Sequence, residues 1–407
     1  MAQKRVLIAG AGFGGIAAAL TLEKNKTREL KIVLVSAKPH FEYRPALYRV
    51  VTGKSPLEVC IPIREILEGR EVEFIVDTLQ DINLAQKTAR GAWGANYAFD
   101  YLILALGSET AYFNISGLEE FSFGFKSITE ALRLKRHLHK LFEDCSKEKN
   151  PDEKVCLLHF VVVGGGASGV ELAGELSKYS RKLAREHGVG EELITIDLIE
   201  AAPRILPALA PKISEKAARH LRQLGVNIFT GRPMEAQKLE EIKVRGLSMK
   251  TETVIWTAGI KPNSLYQKIF GLAFDSKGRI LVDEYLQAKN FKNIFALGDG
   301  ASTPYSGMAQ TAIHDGQSVA KNILRDLEGL PLIRCRPQKP YNFIPIGSGW
   351  ALASLGRITL YGRFGWFFRR FADFRYFLSI LPFKKAILAF RSGKTLCESC
   401  EICLPES

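Results

Sequence analysis

Two glycine-rich turns, about 154 residues apart, constrain this chain more than any other feature. The first, G-A-G-F-G-G at 10–15, follows the apolar run at 5–9. The second, G-G-G-A-S-G at 164–169, follows the apolar run at 160–163. Each opens a stretch rich in helix formers, so each reads as strand, phosphate loop and helix. In such a loop the first glycine makes the tight turn, the second lets the backbone approach a pyrophosphate, and the third lets helix and strand pack closely. Those roles fall to Gly10, Gly12 and Gly15, and to Gly164, Gly166 and Gly169. Phe13, Gly14, Ala167 and Ser168 complete the two loops. A helix N-terminus offers unpaired N–H groups and partial positive charge to the phosphates. Two such loops imply two dinucleotides and electrons passing between them.

The rest of the chain is read around these loops. The strand at 31–35 ends at Ser36, where an acidic residue is expected to hold an adenosine ribose; a hydroxyl accepts a hydrogen bond but gives no charge-assisted, bidentate hold. A further strand is expected at 72–76 and a hairpin within 80–99. The buried run at 100–107 carries Ala105 and ends in Gly107. Residues 127–149 read as a charged helix and 146–154 as a solvated loop. After the second loop, the strand at 193–199 ends in Glu200, a carboxylate suited to a ribose diol and repulsive to a 2′-phosphate, which favours NADH over NADPH. The run at 253–259 mirrors 100–107 and ends in Gly259. The strand at 293–298 ends in Gly-Asp, and Asp299 is suited to accept hydrogen bonds from a flavin ribityl chain.

A chain of 407 residues accommodates two or three domains. The net charge of +13 is uneven: residues 331–407 hold 12 Lys+Arg against 4 Asp+Glu. A basic region of that kind meets nucleic acid, an anionic membrane surface or acidic partners. The first strand starts at Arg5, so no signal peptide is expected, and no charge-free apolar run reaches membrane-spanning length. Seven scattered cysteines do not form a disulfide framework, which points to a reducing cytosolic setting. Cys397, Cys400 and Cys403 have the spacing of metal ligands but lack a nearby fourth, so they read as a thiol tail and no metal site is expected.

The chain resembles the type II NADH:quinone oxidoreductases, a family of single-subunit flavoproteins, over nearly its whole length. The resemblance is carried by both glycine loops, H-F-E-Y-R-P-A-L-Y-R-V-V-T-G at 40–53, Y-L-I-L-A-L-G at 101–107, G-V-E-L-A-G-E-L at 169–176, E-A-A-P-R-I-L-P at 200–207, F-A-L-G-D-G-A at 295–301 and M-A-Q-T-A-I-H-D-G at 308–316. It implies an α/β fold with two Rossmann-like domains: an FAD domain at 1–112 and 271–330, an NADH domain inserted at 113–270, and a membrane-associating region at 331–407. It implies that Glu171 lies near nicotinamide and flavin; a helix starting near Ala309 and Gln310 is expected to aim its N-terminus at the flavin N1/C2 edge, where it stabilises negative charge on reduced flavin. The family usually has paired glutamines bordering the quinone pocket where this chain has His314 and Asp315. His314 is expected to hydrogen-bond a quinone carbonyl, with Asp315 holding the imidazole or supplying a proton.

Residues 361–377 hold nine aromatics. Phe364, Phe367, Phe371, Phe374 and Leu378 form one helical stripe, with Arg363, Arg369, Arg370 and Arg375 interleaved. Phe383, Ile387 and Phe390, with Lys384, Lys385 and Arg391, form a second amphipathic piece. This composition suits a helix in a bilayer interface. No nucleic-acid recognition fold is evident, and a homodimer is compatible with the same tail. The expected function is NADH oxidation and quinone reduction without proton pumping, at the cytoplasmic face of the cell membrane as a peripheral protein. Two alternatives stand beside it: a sulfide:quinone oxidoreductase with Cys156 and Cys335 as redox cysteines, and a non-catalytic flavoprotein binding lipid or nucleic acid through its tail.

Overall fold

Apolar strand runs that are buried on both faces pair in parallel, and each glycine loop leads out of such a run, residues 6–9 and 160–163. The computed structural model describes residues 3–25, 30–54 and 59–391. The chain divides into two compact units, one drawn from Met1–Glu42, Ile61–Glu109 and Ile260–Pro340, the other from Tyr43–Cys60, Thr110–Gly259 and Tyr341–Ser407. The chain therefore crosses between units several times. The motif at 40–53 is split, most of it joining the second unit, and so do the described C-terminal residues from Tyr341.

The first unit is built on a five-stranded parallel sheet in the order Ile294–Ala296, Tyr101–Leu104, Lys4–Ala9, Leu30–Ser36, Glu73–Val76. Lys4–Ala9 is central, with Leu7 opposite Val33 on one side and Leu102 on the other. The strand order reverses beside it, and ligands of open α/β sheets bind outside the carboxyl ends of strands at such a switch point. The helix Phe13–Asn25 leaves this end and packs on the helix Ala309–Leu327, where a β-carbon at Gly316 would strike the Gly14 carbonyl. The expected hairpin within 80–99 is a three-stranded antiparallel sheet of Leu79–Asn83, Thr88–Gly91 and Asn96–Ala98. Asp77 anchors it, accepting from the Thr78 and Ala92 amides and from the Tyr97 hydroxyl at 2.6 Å.

The second unit repeats the pattern. Its parallel sheet runs Phe123–Gly124, Thr253–Trp256, His159–Val163, Thr195–Glu200, Val226–Thr230. The helix Ala167–His187 follows the second loop. The helix Ile128–Lys147 starts at a capping box, with the Ser127 hydroxyl accepting from the Glu130 amide and the Glu130 carboxylate accepting from the Ser127 amide. The loop expected at 146–154 is a correction: Asn150 caps a short helix, Pro151–Leu157, that begins inside it. Three antiparallel strands, Asn342–Pro345, Ala351–Leu355 and Ile358–Tyr361, lead into the helices Gly362–Ile380 and Phe383–Arg391.

Candidate active site

In the first unit the loop at 10–15 has the backbone geometry of a phosphate cradle. Gly10 has φ +105°, and a β-carbon there would lie 2.5 Å from the Ala105 carbonyl oxygen. Its amide donates to Val35 O at 2.8 Å, closing the turn over the sheet. A β-carbon on Gly15 would collide with Gly10 O, whereas one on Gly12 would meet no protein atom within 4 Å. The second glycine thus faces open space, as the approach of a pyrophosphate requires. Gly107, with φ +73°, also faces open space. Phe13 sets its ring edge-on to Phe41 at 4.9 Å.

Asp299 sits half-buried in the turn Gly298–Gly300, and its carboxylate accepts from the Ser108 hydroxyl. The helix Ala309–Leu327 has no acidic residue in its first turn and no side-chain cap. Beside its start, the buried Thr311 hydroxyl has no hydrogen-bond partner. Gln310 is exposed at the same end. Uncapped amides and an orphaned buried hydroxyl are groups that a polar ligand satisfies, so these residues fit a flavin dinucleotide. Ser36, half-buried, accepts from the Lys38 amide at 3.3 Å.

His314 and Asp315 are adjacent on this helix, but the expectation that Asp315 holds the imidazole is not met. His314 Nδ1 and Asp315 Oδ1 are 3.8 Å apart, beyond hydrogen-bond distance, and Asp315 instead accepts from the Gly298 amide at 3.4 Å. Burial raises the Asp315 carboxyl to about 6 and lowers His314, which Lys321 lowers further. Cys335 lies half-buried beside both.

In the second unit Gly164, with φ +116°, makes the corresponding turn, where a β-carbon would meet the Thr257 hydroxyl and the Ala258 amide. Gly166, Ala167 and Ser168 are exposed at the helix start, and a β-carbon on Gly166 would touch nothing. Glu200 is aimed by two backbone amides, Gly165 N–H donating at 2.6 Å and Ala202 N–H at 2.7 Å. Gly259 lets its backbone pass close to Ala111 and the Phe113 ring.

The same unit holds a buried polar cluster that the sequence did not reveal. Arg369 and Asp373, i and i+4 on the helix Gly362–Ile380, form a buried ion pair. Arg369 also donates to Pro45 O at 2.7 Å, and Tyr43 donates to the Asp373 carboxylate. This corrects the reading of Arg369 as an interfacial charge. The available signal was Asp373, the single acid between 331 and 397, four residues after an arginine. Glu171, half-buried on the helix Ala167–His187, is pushed up to about 8 by burial; Arg369 pulls it down, while Asp373 and Glu175 push it up.

Comparison with known proteins identifies the class. The pyridine nucleotide-disulphide oxidoreductase family model matches residues 4–316. The type II NADH:quinone oxidoreductase of Mycobacterium tuberculosis is 32% identical over 380 residues, covering 89% of this chain and 80% of its own. That of Staphylococcus aureus strain NCTC 8325 is 30% identical over 340 residues, with 80% and 83% covered. The chain belongs to the pyridine nucleotide-disulphide oxidoreductase family and, within it, to the type II NADH:quinone oxidoreductases. Among solved structures, NDH2 from Plasmodium falciparum in complex with NADH superimposes with a TM-score of 0.85 at 19% identity, covering 95% of this chain and 96% of its own. The sulfide:quinone oxidoreductase of Aquifex aeolicus gives 0.78 at 20%, with 98% of each chain covered. At these identities both likenesses speak to the fold alone.

Proposed function

We propose that the protein oxidises NADH at a bound FAD and passes the electrons to a membrane quinone, without pumping protons. The observation that carries this reading is the pair of complete phosphate cradles, each opening onto free space at its second glycine. FAD belongs to the first unit, held by the loop at 10–15, Ser36, Ala105, Gly107 and Asp299. NADH belongs to the second, held by the loop at 164–169, Glu200 and Gly259. Bound FAD supplies the redox chemistry, accepting a hydride from NADH and releasing electrons to the acceptor.

The chain's own residues bind, orient and manage protons. The uncapped helix start at Ala309 and Gln310 directs partial positive charge at the flavin edge. Glu171 retains its proton at neutral pH, which suits it to supply one during quinone reduction. His314, kept neutral by burial, donates an N–H to a quinone carbonyl, with Asp315 beside it. The sulfide reading is the weaker one, because relatives that match over most of this chain are type II NADH:quinone oxidoreductases.

The tail supports docking at a lipid surface. Phe364, Phe367 and Phe383 are 75%, 63% and 65% exposed. Rings are costly to leave in water, and Arg363, Arg375 and Lys384 lie exposed beside them, near enough for lipid phosphates. Among the described residues no helix is long and apolar enough to cross a membrane. The reading places the enzyme at the cytoplasmic face, and a homodimer is compatible with it.

Anaerobic titration with NADH followed by a soluble quinone tests the proposal. Flavin absorbance should bleach with stoichiometric NADH and return on quinone addition. Bleaching by sulfide but not by NADH would overturn it.

A further inference from the structure

We infer that His314, Asp315 and Cys335 form a binding site for one zinc-class divalent cation. The inference rests on the geometry of three donor atoms within the first unit; two of them, on His314 and Asp315, belong to residues that the quinone reading also uses. His314 Nδ1 is 3.8 Å from Asp315 Oδ1, Cys335 Sγ is 3.8 Å from the same Nδ1, and Sγ is 4.0 Å from the same Oδ1. A triangle with these sides has its equidistant centre about 2.2 Å from each corner. Zinc takes nitrogen at roughly 2.0–2.1 Å, carboxylate oxygen at roughly 2.0–2.2 Å and thiolate sulfur at about 2.3 Å. The three atoms therefore surround one point at metal-bonding distance. The imidazole and the carboxylate are poorly matched as a direct hydrogen-bond pair, because their nitrogen–oxygen separation is too long, while the thiol lies within sulfur hydrogen-bond reach of both.

The donor set is also selective. Imidazole, carboxylate and thiol together suit zinc-like ions and not calcium or magnesium, which take oxygen ligands. Three protein donors leave a coordination position for water or another small donor.

Each donor is held from behind. The second oxygen of Asp315 accepts from the Gly298 amide at 3.4 Å, so the carboxylate presents Oδ1 to the centre. Cys335 N–H donates to Glu284 O at 2.7 Å. The irregular segment before Cys335 is stitched to the helix by Asn322, which is 1% exposed and exchanges two 2.9 Å hydrogen bonds with the Ile333 backbone. Arg325 adds a bond to Pro331 O at 2.7 Å. These ties bring a cysteine twenty residues downstream against an adjacent His-Asp pair. Binding releases the thiol proton to solvent.

The test uses the full-length flavoprotein stripped with a chelator and titrated with Co²⁺, whose tetrahedral d–d bands lie to the red of oxidised flavin. Cys397, Cys400 and Cys403 are replaced by serine to remove the tail thiols. This chain should bind one Co²⁺ with a sulfur-to-cobalt charge-transfer band, and Zn²⁺ should displace it. Cys335→Ser should abolish the charge-transfer band, and His314→Gln and Asp315→Asn should each weaken binding about tenfold or more. A second readout needs no variant at the site: Zn²⁺ should slow iodoacetamide alkylation of Cys335, mapped by mass spectrometry, about tenfold or more. Absence of a bound equivalent in the tail-substituted chain, binding unchanged by Cys335→Ser, or alkylation indifferent to Zn²⁺ would each overturn the proposal.

Discussion

The two nucleotide cradles share a backbone and differ in what surrounds it. In both, the first glycine has a strongly positive φ and the third presses against the first, while the second faces open space. The strand ends that follow differ: Glu200 presents a carboxylate fixed by two amides, whereas Ser36 presents a hydroxyl engaged with the Lys38 amide. The helices differ too. Ile16, Ala17, Ala18 and Ala19 are buried on the first, while the second carries Glu171 and Glu175. On the proposed reading, the loop provides phosphate binding in general, and nucleotide choice and proton handling lie in the residues just beyond it.

The paired glycine substitutions should have the largest effects. Gly10→Ala and Gly164→Ala each force a β-carbon into a positive-φ turn against backbone. Such strain costs of order 1–3 kcal/mol before the clash is counted. Gly10→Ala should yield protein purified largely without flavin. Gly164→Ala should keep its yellow colour and lose about 100-fold in kcat/KM for NADH. The absorbance spectrum and steady-state kinetics separate the two. Equal loss of flavin in both would remove the assignment of one nucleotide to each cradle.

Glu200→Gln should act next. It retains shape and hydrogen bonding but loses charge, so kcat/KM for NADH should fall about tenfold while NADPH, no longer repelled, gains. An unchanged ratio between the two nucleotides would mean that Glu200 does not face the ribose.

The acid on the second helix gives a pH test. Glu171 ionises near 4.5 when unfolded and at about 8 when folded. Between those values the folded state holds the extra proton, so this group makes stability fall as pH rises from about 4.5 to about 8. If the proton is used in turnover, quinone-reductase kcat should decline as pH passes about 8. Glu171→Gln should flatten both slopes, measured by thermal unfolding and by rate across pH. A retained decline in kcat would assign it to another group.

The sequence revealed what recurs locally and missed what is brought together from a distance. Strand, glycine and helix follow one another within about fifteen residues, so the backbone of both loops and the place of Glu200 at a strand end were legible. Asp299 could be found because a Gly-Asp pair ends a buried strand. The Arg369–Asp373 pair was half-legible: the i,i+4 spacing is in the sequence, but its burial depends on Tyr43 and Pro45, more than 300 residues earlier. Without those partners an arginine among aromatics reads as an interfacial charge. Cys335 near His314 and Asp315 was illegible because an irregular segment places it, fixed by Asn322 and not by any periodic pattern.

Ser36→Glu should produce the smallest effect and the sharpest test of whether strand-end chemistry is all that separates the cradles. A carboxylate at this position would offer the adenosine ribose two acceptors in place of one hydroxyl, each charge-assisted. The Lys38 backbone amide, which donates to the Ser36 hydroxyl, would compete for one oxygen of the new carboxylate. That competition reduces the gain, so FAD dissociation, followed by the rise of free flavin fluorescence on dilution, should slow only about threefold to tenfold. Ser36→Ala should quicken it by a similar factor, because one hydrogen bond is lost. If both variants release flavin at the parent rate, Ser36 does not touch the ribose, and FAD is held by the loop at 10–15 and by Asp299 without help from this strand end.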